Sequence, residues 1–218
     1  LGNTVSPELM IEKFGADTVR LFILFGANPE AGMDWSDSAI ESNYRQMRAI
    51  HTALVQGIQN DDAVGSMDAW LLARARKSFA DWNDQMSNIG LREGVMISHF
   101  EMVSDWQWAQ RRGGVSREAA QAYLQTWIPM LYPATPHLAE EMWQKMGHKE
   151  LVSNAQWPEH DPSLLEVNTV TVGVQVNGKM RGTVDLPIDC DQAIAEKLGL
   201  ALDPVLRAIG DKNIKKIF

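Results

Sequence analysis

SDSAIESNYRQMRAIHTALVQGI, residues 36–58, is the stretch that decides the architecture. Ile40, Tyr44, Met47, Leu54 and Ile58 recur at three- and four-residue spacing with His51 among them, while Glu41, Arg45, Arg48, Thr52 and Gln56 take the opposite face. A long helix with one apolar stripe has to bury that stripe against others of its kind, and its neighbours carry the same signature. After the polar break Asn60-Asp61-Asp62, a second long helix carries Met67, Trp70, Leu71, Phe79, Trp82, Met86 and Ile89 inward and closes at Gly90. A third spans Leu91 to Arg111 and stops at Gly113-Gly114. Ser116 opens a fourth through Tyr123, Leu124, Trp127 and Leu131, and Pro133 and Pro136 frame a turn into a shorter one, Pro136 to Met146. Towards the N-terminus, Ser6-Pro7 starts a helix to Phe14, Gly15 interrupts it, and Ala16 to Phe25 forms another that ends at Gly26. Asn28 to Gly32 is a loop by its breakers.

The period changes near residue 169. Val170, Val172, Val174 and Val176 alternate with Thr169, Thr171, Gly173 and Gln175, and after Asn177-Gly178 the alternation resumes through Met180, Gly182, Val184 and Leu186. Asn-Gly between two period-two runs predicts a hairpin, because a type I′ turn needs positive φ at both central residues. Asp189 is expected to start a helix to about Leu198, and Ile214 to Phe218 to form a last strand. The expected fold is therefore mainly α: an antiparallel helix bundle over 36–157, a linker over 158–167 marked by Pro158 and Pro162, and a small α+β domain with a β-hairpin over 168–218.

Composition bounds what such a chain does. With 218 residues and 45% apolar content it buries one large or two modest cores, and a charged fraction of 22% argues against disorder. The longest apolar stretch, Leu21 to Phe25, is far short of the roughly 20 residues a membrane span requires. No charged-then-apolar leader opens the chain, so a cytoplasmic protein without a membrane partner is expected. Cys190 is the single cysteine, which excludes an internal disulfide and a cysteine-rich zinc site. The net charge of −8 is unevenly spread: residues 166–218 hold seven acids and seven bases, and the rest of the chain carries the whole excess of acid. A surface for nucleic acid must then be local, since the global field repels phosphate.

No segment carries a self-contained catalytic site. His51, His99, His137, His148 and His160 are scattered, none at metal-ligand spacing with a second on one helix face, so no metal is expected. His51 and His99 read as core or boundary residues, and His137 as serving a helix start. Glu140 and Glu141 are adjacent and point to different sides of a helix, which disfavours a paired-carboxylate site. Of eight tryptophans, Trp70, Trp82, Trp106, Trp127 and Trp143 read as core, while Trp35, Trp108 and Trp157 lie off the clear stripes and stay open as stacking platforms. Two basic groups stand out. Arg45 and Arg48 lie one turn apart on the polar face of the residue-36 helix, where guanidinium forks can grip phosphates, though an intrahelical Glu41–Arg45 pair is an equal alternative. Lys179 and Arg181 are expected on one side of the second hairpin strand, with Lys212, Lys215 and Lys216 near the end of the chain; a lysine-protected edge strand is the competing explanation.

Longer motifs carry a resemblance. Leu1 to Pro7 followed by Gly15-Ala16-Asp17-Thr18-Val19-Arg20-Leu21 resembles the stretch after the Lys-Met-Ser-Lys-Ser loop of class I aminoacyl-tRNA synthetases. Asn28 to Asp37, Tyr132 to Trp143, Trp157-Pro158 and above all Val172-Gly173-Val174-Gln175-Val176-Asn177-Gly178-Lys179-Met180-Arg181-Gly182 are similar to the leucyl-tRNA synthetases within that class. The resemblance covers essentially the whole chain. It implies that residues 1–35 end the catalytic-loop and stem-contact region, with Gly2 and Asn3 flanking an ATP loop, and that 36–157 form an anticodon-binding-type bundle. It implies a parent that activates leucine with ATP and attaches it to tRNA(Leu), with catalytic and editing domains elsewhere, and no DNA partner. No catalytic residue falls in this stretch; Arg45, Arg48, Lys179, Arg181, Lys212, Lys215 and Lys216 are the expected tRNA contacts. A structural or protein-interaction module, and the equivalent part of an isoleucyl enzyme, are the alternatives.

Overall fold

The computed structural model describes residues 5–27, 32, 35–157, 169–187, 190–210, 214 and 216–217. The chain divides into two compact units, Leu1–Asp161 and Pro162–Phe218.

Among the described residues, the regular structure of the first unit is all helical. Its elements are α1 (Pro7–Phe14), α2 (Ala16–Gly26), α3 (Asp37–Ile58), α4 (Asp68–Ser87), α5 (Leu91–Met96), a π-helical segment (Ile97–Glu101), α6 (Met102–Arg111), α7 (Arg117–Leu131), α8 (Pro136–Lys145) and a short 3₁₀ turn (Val152–Asn154). Local chemistry sets the starts. Ser36 and Ser116 accept hydrogen bonds from the amides of Ala39 and Ala119, and prolines occupy the first turns of α1 and α8, where no backbone donor is needed. One main core, drawn from α3, α4, the π segment, α6, α7 and α8, is built on fully buried Trp106, Trp127, Tyr123, Leu124, Met102 and Ile128. A smaller cluster of Phe14, Val19, Phe22 and Ile40 fastens α1 and α2 to the start of α3.

The buried stripe of α3 differs in phase from the sequence expectation. Ile40, Asn43, Ile50, Leu54 and Gly57 are buried, with Met47 half-buried between them, while Tyr44 and His51 are exposed. Spacings of three and four residues fit either set, so periodicity alone does not distinguish a stripe from its neighbour. Packing does. Gly57 lies where an added Cβ would meet Leu124 Cδ1 at 3.0 Å and Trp106 at 3.2 Å, which brings α3 against α6 and α7.

The helix expected over Leu91 to Arg111 is continuous, but it contains one π turn. Ile97, Ser98 and His99 are buried in succession, more than an α-helix with a single stripe could turn inward. Side chains from other helices take up the backbone carbonyls there. Trp127 Nε1 donates to Ser98 O at 2.7 Å, Gln46 Nε2 to His99 O at 2.5 Å and the Tyr123 hydroxyl to Met102 O at 2.7 Å. The His99 ring sits between hydroxyls, Nδ1 at 2.8 Å from Ser98 Oγ and Nε2 at 3.0 Å from Thr135 Oγ1, so a neutral imidazole donates on one side and accepts on the other.

Burial lowers the His99 pKa to about 3, far below the ordinary histidine value. The native state therefore binds fewer protons than the unfolded chain between about pH 3 and 6.5, and its stability is lost as pH falls through that window. Urea unfolding at pH 7.5, 6.5 and 5.5 should show a decline approaching about 1.4 kcal/mol per pH unit below 6.5. His99→Gln should be less stable at pH 7.5 and should flatten the decline; an unaltered slope in that variant would locate the acid sensitivity elsewhere.

The second unit holds β1 (Thr169–Val176) and β2 (Lys179–Pro187) in an antiparallel pair, with α9 (Gln192–Leu200) and α10 (Asp203–Ile209) packed on it. Asn177 and Gly178 have φ of 52° and 74°, the geometry the Asn-Gly turn requires. The register, however, shifts. Val174 faces Gly182 and Gln175 faces Met180, so Arg181 is an extra residue in β2 and interrupts the simple alternation between Lys179 and Gly182. Asp191, not Asp189, caps α9 through its carboxylate and the Ala193 amide. Sequence patterning had no counterpart for α10, a seven-residue helix with Pro204 in its first turn. Ile214, Lys216 and Ile217 have no regular secondary structure, and the rest of the expected final strand lies outside the described residues.

Candidate nucleic-acid interface

Two open grooves run along the outer side of α3 and share Arg48 and Thr52 as their common wall. The larger, about 560 Å³, lies between α3, the α1–α2 corner and the first turn of α8, and takes Phe14, Tyr44, His51 and His137 into its lining. The second, about 490 Å³, is lined by Arg45, Gln56 and Gln107. Arg45 and Arg48 are both exposed. Among the described residues neither guanidinium has an ion-pair partner, and the Glu41–Arg45 pair that the spacing allows is not formed. Two unpaired forks one turn apart, opening into adjoining grooves, form a local cationic strip on an otherwise acidic unit.

Asp17, the acid in the lining of the larger groove, and the adjacent Glu140 and Glu141 of α8 are all engaged. Asp17, buried at the start of α2, accepts from Arg20 at 3.2 Å, from His137 Nδ1 at 2.8 Å and from the Leu138 amide at 2.9 Å. It thereby caps α8, where a negative charge also meets the positive end of the helix dipole. Glu141 pairs with Lys145 at 2.6 Å; that hydrogen bond holds its carboxyl below the ordinary value, burial opposes the shift, and the charges of Lys145 and His51 add to it. Glu140 binds the Val152 amide through both oxygens at 3.1 Å, so the two adjacent glutamates serve separate structural contacts.

The other expected contacts are distributed differently. Lys179 and Arg181 are exposed on β2 in the second unit, Arg181 at the bulge, and Lys216 is exposed. Gly2, Asn3, Lys212 and Lys215 lie outside the described residues. Sequence reasoning missed Tyr44 and His51 as surface residues and Asp17 as a partner of His137. A phase test of the α3 stripe would have brought Tyr44, Arg48 and His51 to one side; nothing local could pair residues 120 positions apart. Of the tryptophans left open, Trp108 lies between the Trp70 ring at 4.3 Å and the Arg112 guanidinium at 4.2 Å, and Trp157 packs on Trp82 at 5.1 Å while 51% exposed. Among the described residues no three histidine, cysteine or acidic side chains are grouped to hold a metal, and no helix is long and apolar enough to cross a membrane.

A bundle of this kind, capped by a basic strip on one helix, has known relatives. The chain belongs to the family described as the anticodon-binding domain of tRNA ligase, whose pattern matches residues 68–195. More particularly, it is similar over nearly its whole length to leucine–tRNA ligases: 34% identical to that of Halorhodospira halophila across 99% of this chain and 27% of the relative, and 33% identical to that of Pseudothermotoga lettingae across 100% and 28%. The chain thus spans little more than a quarter of these relatives. Its fold matches that of the LeuRS of Agrobacterium radiobacter K84, solved in a ternary complex with tRNA and LeuAMS, with a TM-score of 0.66 over 99% of this chain and 29% of the other at 21% identity. The likeness is to leucine enzymes, and favours neither the isoleucine alternative nor a purely structural module.

Proposed function

We propose that this chain is the tRNA-holding portion of a leucine–tRNA ligase, and that Arg45 and Arg48 grip backbone phosphates of tRNA(Leu). The supporting observation is the pair of unpaired, exposed guanidiniums opening into adjoining grooves. Backbone contacts position an RNA without reading its bases, and they suit shallow grooves with charged walls. Lys179, Arg181, Lys212, Lys215 and Lys216, the basic residues of the second hairpin strand and the end of the sequence, are further contacts in this reading, to another part of the same RNA. In this reading the parent enzyme works in the cytoplasm, uses ATP to form leucyl-adenylate in a catalytic domain outside these residues, carries an editing domain there too, and transfers leucine to the tRNA that this portion holds. Gly2 and Asn3 flank the ATP loop of that domain.

Fluorescence anisotropy with labelled tRNA(Leu) at 50 and 200 mM salt tests the proposal. Binding should weaken steeply with salt, and replacing both Arg45 and Arg48 with alanine should weaken it about tenfold at the lower salt while reducing the salt slope by about one to two. Equal affinity and slope in the double variant would remove the phosphate role from these two residues.

A further inference from the structure

The larger groove contains groups that phosphate gripping alone does not use. Tyr44 lines it, 40% exposed, and its ring is held edge-on by Phe14 with centres 5.9 Å apart and planes at 61°. An aromatic ring fixed by a neighbour and open to a groove is a stacking surface with little ordering left to do. Across the groove, His137 projects from the first turn of α8 with 71% of its side chain exposed. Its Nδ1 lies against a carboxylate, which only accepts, so Nδ1 carries a proton, and in the neutral form of the ring Nε2 is left as an acceptor. Arg48 and His51 lie along the α3 wall between them. Asp17, the acid in the lining, already accepts from three donors, so an anion entering the groove meets a carboxylate whose charge is offset. The volume, about 560 Å³, is that of a site for one medium-sized molecule.

We propose that this groove receives a single ribonucleotide turned out of the RNA stack, with its base against Tyr44, its phosphate on Arg48 and a ribose hydroxyl donating to Nε2 of His137. The inference rests on the tRNA-holding reading and deepens it: Arg45, on the other side of the shared wall, holds backbone only, while the Tyr44 groove takes a nucleotide. RNA offers such a nucleotide wherever a loop or bulge leaves a base unpaired.

The test uses the 218-residue chain with two probes, labelled tRNA(Leu) and adenosine 5′-monophosphate with its 2′-deoxy counterpart. Tyr44→Leu keeps an apolar contact with Phe14 but removes the aromatic face, and Tyr44→Phe keeps the face. Tyr44→Leu should weaken tRNA binding about tenfold and Tyr44→Phe less than twofold, the size of one base stacked on one ring. Adenosine monophosphate should shift the amide resonances of Tyr44, Arg48 and His137 at millimolar concentration, more strongly than the deoxy form. If Tyr44→Leu binds tRNA like the wild type while the Arg45/Arg48 double variant does not, the nucleotide site is overturned and the phosphate reading stands. If the wild type fails to bind tRNA at 50 mM salt yet the monophosphate shifts those three residues, the groove is a nucleotide site and the tRNA reading falls. Absence of both signals overturns both.

Discussion

Replacing Trp127 with alanine is expected to cost about 4 kcal/mol of unfolding free energy, the largest loss from any single truncation in the first unit. Two effects combine. The indole is fully buried in the main core, with the Tyr123 ring at 5.7 Å and 64°, so truncation leaves a cavity that the surrounding helices can only partly close. The indole N–H also donates to Ser98 O at 2.7 Å, and its removal leaves a buried carbonyl without that donor. Trp127→Phe separates the two, because phenylalanine fills most of the volume and donates nothing. It should cost about 1–2 kcal/mol. Urea denaturation of the three proteins at pH 7.5 gives both numbers. An alanine loss below about 2 kcal/mol would mean that the core relaxes around the site, contrary to its close packing. Equal losses for alanine and phenylalanine would make the hydrogen bond, not the ring, the dominant contribution.

Gly65→Ala should cost about 3 kcal/mol, an unusual loss for a methyl group in a loop. The loop between α3 and α4 lies directly against the one between α6 and α7, and a Cβ on Gly65 would collide with the Cα and carbonyl carbon of Val115 and the nitrogen of Ser116. These are backbone atoms, so no rotamer change relieves the clash. Separating the loops would strain five hydrogen bonds: Asn60 Nδ2 to Val115 O at 2.9 Å, the Ser66 hydroxyl to Arg112 O at 3.2 Å, the Arg117 amide to Asp62 O at 2.7 Å, the Met67 amide to Gly114 O at 3.2 Å and the Ser116 amide to Asp68 Oδ1 at 2.7 Å. Val64→Ala is the control. Val64 is 84% exposed, and its truncation should change stability by less than about 0.5 kcal/mol. Thermal and urea unfolding check both variants. A Gly65→Ala protein as stable as the wild type would show that the two loops part without loss.

Those features were legible in the sequence to different degrees, for physical reasons. The Asn177-Gly178 hairpin was legible because two residues at positive φ are a local requirement that few other dipeptides meet. The helix start at Ser116 and the helix-opening Pro7 and Pro136 were legible for the same reason, whereas Ser6 precedes α1 without a side-chain cap, its hydroxyl donating to Glu8 instead. The stripe of α3 was legible as a stripe but not in phase: Tyr44 and His51 keep the right spacing, and tertiary contacts, the close approach at Gly57 among them, turn them outward. The π turn left no signal, because it depends on donors supplied from α3 and α7, far away in the chain. Of the candidate site, Arg45 and Arg48 came from the polar face of one helix. The larger groove, which takes Arg48 but not Arg45, needed Phe14, Tyr44 and His137 from three helices to be brought together, and the tie between Asp17 and His137 is a tertiary contact with no local trace.

The hydrogen bond from Gln46 to His99 O has a bearing on the surface. Gln46 stands between Arg45 and Met47, and its amide reaches a carbonyl in the π turn. A helix packed only by apolar contacts can roll about its own axis by some degrees with little penalty, because such contacts have no direction. A directed bond on one side of α3 removes that freedom. The extra residue in the turn thus works as a key for α3, setting the bearing at which two arginines leave the bundle, and a lesion in that buried turn would misdirect the basic strip without touching either side chain.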